Sequence, residues 1–277
     1  EFKQIDAFSK VTLLGGRALA IGKNLSFHPL IDVIKRWAGI KENDGASESF
    51  KKLESTVKNI YPEGAAEIFP FIATLMGMKM NGQSARRVEG IEGDALEKII
   101  KKSLRELIMK AAEHRPLVFI LENLQWADLT SVELLESLYR LAENSRILFI
   151  NVFRPDYPET SGRLLATIKQ RCPGFHTGIY LEALDRQHSK QLIAGLLKTQ
   201  SFPGNIIELV TKRAGGNPFF IEEVIRSFID DGIVVLKDGK FKATEKIDSV
   251  VIPETINDVL MGRIDKLDEV TRSLLKI

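Results

Sequence analysis

One cysteine, Cys172, stands in 277 residues, so no internal disulfide can form and packing alone must close the fold. That scarcity suits a reducing compartment, and a cytoplasmic location is the expectation. Cys172 lies in Arg171-Cys172-Pro173-Gly174, a turn sequence, and reads as a structural thiol. No apolar run reaches the ~18 residues that a membrane span needs, so no membrane partner is expected. The opening Glu1-Phe2-Lys3-Gln4 is charged and lacks the apolar core of a signal peptide. Charge of one sign is missing as well. The 39 Lys and Arg face 37 Asp and Glu, a formal net of +2, which argues against direct nucleic-acid binding by this segment. His28, His114, His176 and His188 are far apart in sequence and show no zinc-type spacing. Nothing matches a Ser/His/Asp or Cys/His nucleophile arrangement.

What is present is the composition of a globular protein, 44% hydrophobic and 27% charged. Lys10 to Ala18 reads as a short apolar strand followed by a glycine-marked loop. Phe27 to Ala38 and Ala95 to Glu113 carry apolar residues at helical spacing. The stretch between them, from Lys41 to Glu92, reads as irregular. Leu117-Val118-Phe119-Ile120-Leu121 and Ile147 to Val152 are continuous apolar runs separated by a helix from about Ser131 to Asn144. Strands without polar alternation, joined through a helix, imply a parallel sheet. Thr177 to Leu181 reads as one more short strand.

From Asp185 the texture is helical, with segments at Arg186 to Lys198, Gly204 to Ala214 and Pro218 to Asp230. A hairpin with an Asp238-Gly239 turn follows, then helices from Pro253 to Leu267 and from Asp268 onward. The expected fold class is therefore α/β: a parallel sheet with helices on both faces, then a helical segment.

Two stretches can carry chemistry. Glu122 ends a buried strand, where α/β proteins gather ligands, and such a carboxylate can hold Mg²⁺. It opens Glu122-Asn123-Leu124-Gln125-Trp126-Ala127-Asp128. The second stretch is Arg213-Ala214-Gly215-Gly216-Asn217-Pro218-Phe219-Phe220-Ile221-Glu222-Glu223. There Gly215 and Gly216 end one helix, Asn217 caps the next and Pro218 enters its first turn. Glu222-Glu223 reads as one buried contact and one solvated residue.

Both stretches resemble motifs of the STAND class of P-loop ATPases, the modules fused to bacterial adenylyl or guanylyl cyclases, LuxR-type and MalT-type activators and some serine/threonine kinases. The first is similar to an extended Walker B motif, in which an apolar strand is followed by two acids, Leu, His or Gln, Trp, Ala and Asp. The second is similar to the Gly-Asn-Pro-Phe-x-x-Glu-Glu signature of the helical lid. Asn151-Val152-Phe153-Arg154-Pro155 resembles the strand whose terminal Arg senses the γ-phosphate, and Ile252 to Leu267 resembles the start of a winged helix.

The resemblance implies an incomplete P-loop core over residues 1–183, a lid over 184–232 and a winged-helix start over 233–277. It implies ATP or ADP with Mg²⁺ held between core and lid. Glu122 would be the metal ligand, with Glu122, Asn123 and Arg154 catalytic and Asn217, Pro218 and Asp128 binding the nucleotide. Its partners would be effector domains of the same polypeptide, with a homo-oligomer also expected. An amide at Asn123 binds water but cannot take its proton, which implies slow or absent hydrolysis.

A phosphate loop requires Gly-x-x-x-x-Gly-Lys-Ser/Thr. The nearest stretch, Gly16-Arg17-Ala18-Leu19-Ala20-Ile21-Gly22-Lys23-Asn24, has one intervening residue too many and no hydroxyl after Lys23. In family order, Val11 to Arg17 matches the strand after the phosphate-loop helix, so the loop is expected before residue 1. The start without Met and the helical pattern at the end fit an internal piece of a longer protein. Two rival readings remain: a degenerate fold serving as an interaction scaffold, and a segment of a DNA-binding activator.

Overall fold

The computed structural model describes residues 10–21, 26–199, 202–237 and 239–275, and the chain divides into two compact units at Thr177/Gly178. The three residues that would complete the nearest phosphate-loop candidate, Gly22, Lys23 and Asn24, lie outside the described residues, as does Asp238 of the hairpin turn.

The first unit opens with β1 (Thr12–Arg17). Five helices follow: α1 (His28–Trp37), α2 (Ala46–Ile60), α3 (Ala65–Leu75), α4 (Gly82–Val88) and α5 (Gly93–His114). Then come β2 (Leu117–Glu122), α6 (Leu129–Tyr139), β3 (Ile147–Val152) and α7 (Arg163–Arg171). The strands form one parallel sheet in the order β1-β2-β3. The uninterrupted apolar runs at β2 and β3 thus do what their composition implies.

Side chains alternate across a strand, and the two faces of this sheet differ. Leu14, Leu117, Phe119, Leu121 and Ile147 point into the main apolar core. There α1 packs so closely on β1 that a Cβ on Gly16 would lie 2.5 Å from the Pro29 carbonyl oxygen. On the same face Tyr139 of α6 meets Phe149 edge-on, with ring centroids 5.2 Å apart, and its hydroxyl pairs with Asn151 Oδ1 at 3.1 Å.

The opposite face carries Leu13, Val118, Ile120, Leu148, Ile150 and Val152, none of which belongs to that core. Leu148 and Val152 are 54% and 49% exposed. The expectation of helices on both faces is therefore met on one face only among the described residues. Handedness explains the asymmetry. The steps from β1 to β2 and from β2 to β3 advance in the same direction, so right-handed crossovers place both sets of helices on the same side.

Two further expectations are corrected. Residues 177–181 form no strand, and Ile179 and Leu181 are 82% and 92% exposed. Apolar composition favours a strand, but a ladder needs a partner edge, and among the described residues none pairs with this run. The region from Lys41 to Glu92 is helical rather than irregular. Pro70 inside α3 disguises it: an internal proline costs a helix roughly 3 kcal/mol. Against that, Ile68, Phe69, Phe71, Ile72 and Leu75 are all buried, each gaining roughly 1.5–3 kcal/mol, so packing wins. Phe69 also meets Phe50 of α2 edge-on at 5.0 Å. Cys172 is 4% exposed and burial pushes its thiol pKa up, which bears out its structural reading.

The second unit holds α8 (Arg186–Leu197), α9 (Gly204–Ala214), α10 (Pro218–Asp230), the antiparallel pair β4 (Val234–Lys237) and β5 (Lys240–Ala243), α11 (Ile256–Asp265) and α12 (Glu269–Leu275). One apolar cluster spans it, from Ile193 and Val210 through Ile221, Val224 and Phe228 to Val234 and Val259. Thr255 and Asp258 form a reciprocal capping box at the start of α11. Glu223 is buried beneath Arg263 while Glu222 is exposed, the division expected of that pair.

Glu136 in α6 is the buried charge that ties down α7. Arg163 donates to it from Nε at 3.1 Å and from Nη2 at 2.8 Å, and Thr167 Oγ1 donates at 2.6 Å. Burial works to raise the Glu136 pKa, but the donors from Arg163 and Thr167 prevail and hold it below the usual carboxylate value. A depressed folded-state pKa stabilises the protein above the unfolded-state value and loses that contribution as pH falls. Glu136→Gln should therefore cost about 1–2 kcal/mol at neutral pH, discounted because Arg163 is partly exposed. Urea unfolding of both proteins across the acid range should show the two stabilities converging. A gap that stays constant down to low pH would assign the effect to packing instead.

Candidate functional site

Parallel pairing in register sets Arg17, Glu122 and Val152 at one level across the carboxyl ends of β1, β2 and β3. Arg17 and Glu122 point to the same, uncovered face. There the Arg17 guanidinium forks onto one carboxylate oxygen, with Nε at 2.9 Å and Nη2 at 2.6 Å from Glu122 Oε2. Both side chains are about half exposed, at 56% and 43%. The Arg17 backbone N–H donates to Asp32 of α1 at 3.2 Å. Glu122 Oε1 accepts nothing from the described residues.

Immediately after β2 the chain turns through Asn123 in the left-handed region, at φ 58° and ψ 35°. Asparagine tolerates that conformation better than most side chains. The turn leads into one 3₁₀ turn, Leu124–Trp126, and then to Asp128. Asp128 is 8% exposed and caps α6. Its Oδ1 accepts from Ser131 N at 2.8 Å, from Phe27 N at 3.2 Å and from the Thr130 hydroxyl, while Oδ2 accepts from Ser131 Oγ at 2.5 Å. The carboxylate expected to meet nucleotide thus joins the starts of α1 and α6.

Arg154 follows β3 by two residues, and its backbone is held from both sides. Its N–H donates to Gln125 Oε1 at 3.2 Å, and its carbonyl accepts from Ser161 Oγ at 2.6 Å. The side chain is exposed and forms no ion pair with the described residues. Gln125 is 4% exposed and also takes the Thr160 hydroxyl on its carbonyl at 3.2 Å. Gln125 and Arg17 are the contributors that sequence reasoning missed. Gln125 lies within the quoted motif, whereas the pairing of Arg17 with a residue 105 positions away shows only once the strands are adjacent.

Asn217 and Pro218 lie in the second unit. Asn217 Oδ1 accepts from Phe219 N at 3.0 Å and Phe220 N at 3.4 Å, Pro218 opens α10, and Gly215 closes α9 in the left-handed region. At Gly216, with φ 78°, a Cβ would lie 2.3 Å from the Leu184 carbonyl oxygen, so only glycine fits. The capping role read from the sequence is what the structure displays.

Residues 5–150, over half the chain, match the AAA ATPase domain. The chain belongs to this family. Residues 185–242 match a domain of unknown function (DUF8739). No curated protein and no solved structure matches the chain. Membership makes the first unit a P-loop-type ATPase module, a class that binds nucleotide with Mg²⁺. Among the described residues no cluster of three or more His, Cys, Asp or Glu can hold a metal alone. Mg²⁺ needs no such cage, because it is usually bound by one or two carboxylates with phosphate oxygens and water. The half-exposed Glu122 of this AAA ATPase domain, with Oε1 open, fits that role.

The structural and chemical roles at this edge separate by mutation. Asp128→Ala removes a helix cap and leaves the buried Phe27 and Ser131 N–H groups without their acceptor, so it should cost about 2–4 kcal/mol. Arg154→Ala should stay within about 0.5 kcal/mol of the parent, as an exposed side chain without an ion pair should. Thermal unfolding of the two variants would check this, and equal losses would contradict the division.

Proposed function

We propose that the chain is most of a STAND-class nucleotide switch, completed by a β-α unit that precedes β1 and carries the phosphate loop. The observation that carries this reading is the uncovered apolar face of the sheet. A strand added at the free edge of β3 and crossing over to β1 travels opposite to the β1-β2-β3 progression. Right-handed connection then puts its helix on the opposite side from α1 and α6, over Leu148, Ile150 and Val152. The amino terminus of that helix would present its free N–H groups beside Arg17 and Glu122, the arrangement that binds phosphate.

On this reading Glu122 holds Mg²⁺, and Arg17 and Arg154 are the cations available to phosphate. Asn123 keeps turnover slow or absent. The assignment of Asn217 and Pro218 to the base rests on the lid signature. The output is a change of state passed to effector domains of the same polypeptide, a cyclase, kinase or transcription regulator, in the cytoplasm. The hold of Arg17 on Glu122 favours one rival, a degenerate ATPase-fold scaffold whose acid is already neutralised.

Calorimetric titration with ATP and ADP, with and without Mg²⁺, decides between them on the chain and on a form extended upstream through the next β-α unit. Only the extended form should bind, and Glu122→Ala in it should abolish the Mg²⁺ dependence. An extended form that folds and binds neither nucleotide would establish the scaffold.

A further inference from the structure

β3 ends at Val152, and Arg154 lies two residues past the last ladder position. A segment beyond its ladder ordinarily turns its backbone groups to water and frays. At Arg154 both groups are taken by buried side chains instead. Its N–H donates to Gln125 Oε1, and its carbonyl accepts from Ser161 Oγ. Thr160 closes the circuit by donating to the Gln125 carbonyl. Gln125, Thr160 and Ser161 are 4%, 8% and 0% exposed, so water competes little for these bonds.

The two sides of this clamp come from different segments. Gln125 stands in the 3₁₀ turn Leu124–Trp126 after Glu122, and the N–H it receives fixes its amide with the oxygen toward Arg154. Thr160 and Ser161 stand in one π-helical turn, Pro158–Gly162, ahead of α7. Such turns are rare and recur at functional sites. Trp126 and Tyr157 tie the same two segments a second time, edge-on with ring centroids 5.2 Å apart.

All three polar bonds end on backbone groups, and the Arg154 guanidinium takes part in none of them. That side chain is exposed and forms no ion pair with the described residues. Arg17, the other arginine of this edge, is the opposite case, because its guanidinium is committed to Glu122. A buried glutamine and a buried serine are costly means of closing a loop, since each must leave water. What they produce is a fixed backbone beneath a free cation. Holding that backbone in advance leaves less to be ordered when an anion arrives, which tightens binding.

We propose that Gln125 and Ser161 are positioning residues for Arg154, and that through it they set a preference for ATP over ADP. The inference rests on the nucleotide reading above and adds to it the residues that control discrimination. ATP differs from ADP by its terminal phosphate, and a cation beyond β3 distinguishes the two best when held at a fixed reach. Gln125 lies three residues after Glu122, so the proposed metal ligand and the arginine are placed by one short piece of chain.

A double-mutant cycle tests it, read by calorimetric titration with Mg-ATP and Mg-ADP on the chain extended upstream through the next β-α unit. Arg154→Ala keeps the backbone groups and so leaves the clamp intact. It should reduce the ATP-over-ADP preference about ten- to hundredfold. Gln125→Met, close in shape but without the acceptor, and Ser161→Ala should each reduce it about three- to tenfold. Added to Arg154→Ala, neither should reduce it further. Thermal unfolding verifies folding, and either clamp variant alone completes the cycle. The inference falls if Arg154→Ala or a folded clamp variant keeps the parental preference. It falls equally if a clamp variant has the same effect with and without the Arg154 side chain, which would make the clamp purely structural. In each of these cases nucleotide binding by the parent stands. A parent that binds neither nucleotide overturns the switch reading itself, and this inference with it.

Discussion

β2 is hydrogen-bonded along both edges, and the candidate site depends on that double pairing. In a parallel sheet every strand delivers its carboxyl end to the same edge, so in-register neighbours bring distant segments level. Glu122 therefore meets Arg17 by construction of the backbone, without any helix or loop to steer it. The ion pair itself contributes little to stability, since half-exposed pairs are worth ~0–1 kcal/mol. Its effect is on the chemistry. A guanidinium on Oε2 lowers the charge that Glu122 offers to a cation, and anything that draws Arg17 away restores it.

The turn after β2 shows how backbone demands and chemistry compete for the same residues. Asn123 stands where the resembled motif carries a second acid, and read chemically the change removes a base. The structure adds a conformational reason for the amide, because the residue adopts the left-handed region, where asparagine is among the few side chains at ease. Asp128 makes the complementary point. Its carboxylate takes three donors around the start of α6 and one from the start of α1, so its place in the motif is explained by architecture before any ligand is considered.

What could be read from the sequence followed from how local each signal was. β2 and β3 were legible because a strand paired on a buried sheet needs an unbroken apolar run, and nothing distant is required to see one. The junction Gly215-Gly216-Asn217-Pro218 was legible for the same reason, each residue answering a demand within a few positions. The helices between Lys41 and Glu92 were hidden by Pro70 and by glycine-rich breaks, and only the burial of α3 shows why its helix survives. Residues 177–181 failed in the opposite sense, since their composition suits a strand and the partner that would make them one is not among the described residues. Arg17 at the end of β1 was invisible as a site residue because its meaning lies 105 positions away.

The uncovered face can be argued one step further from its gradient. Exposure rises from Val118 on β2, at 8%, to Leu148 on β3, at 54%, although the two residues are register partners. β3, like β1, has an outer edge that is unpaired among the described residues, so its backbone N–H and C=O groups lack ladder partners there. Two different deficits thus coincide on one strand. A lone helix laid on the face would cover the side chains and leave the edge open. A lone strand would pair the edge and leave Leu148, Ile150 and Val152 in water. A strand followed by a helix removes both, and parallel sheets are found covered on both faces because connections of that kind supply the second layer.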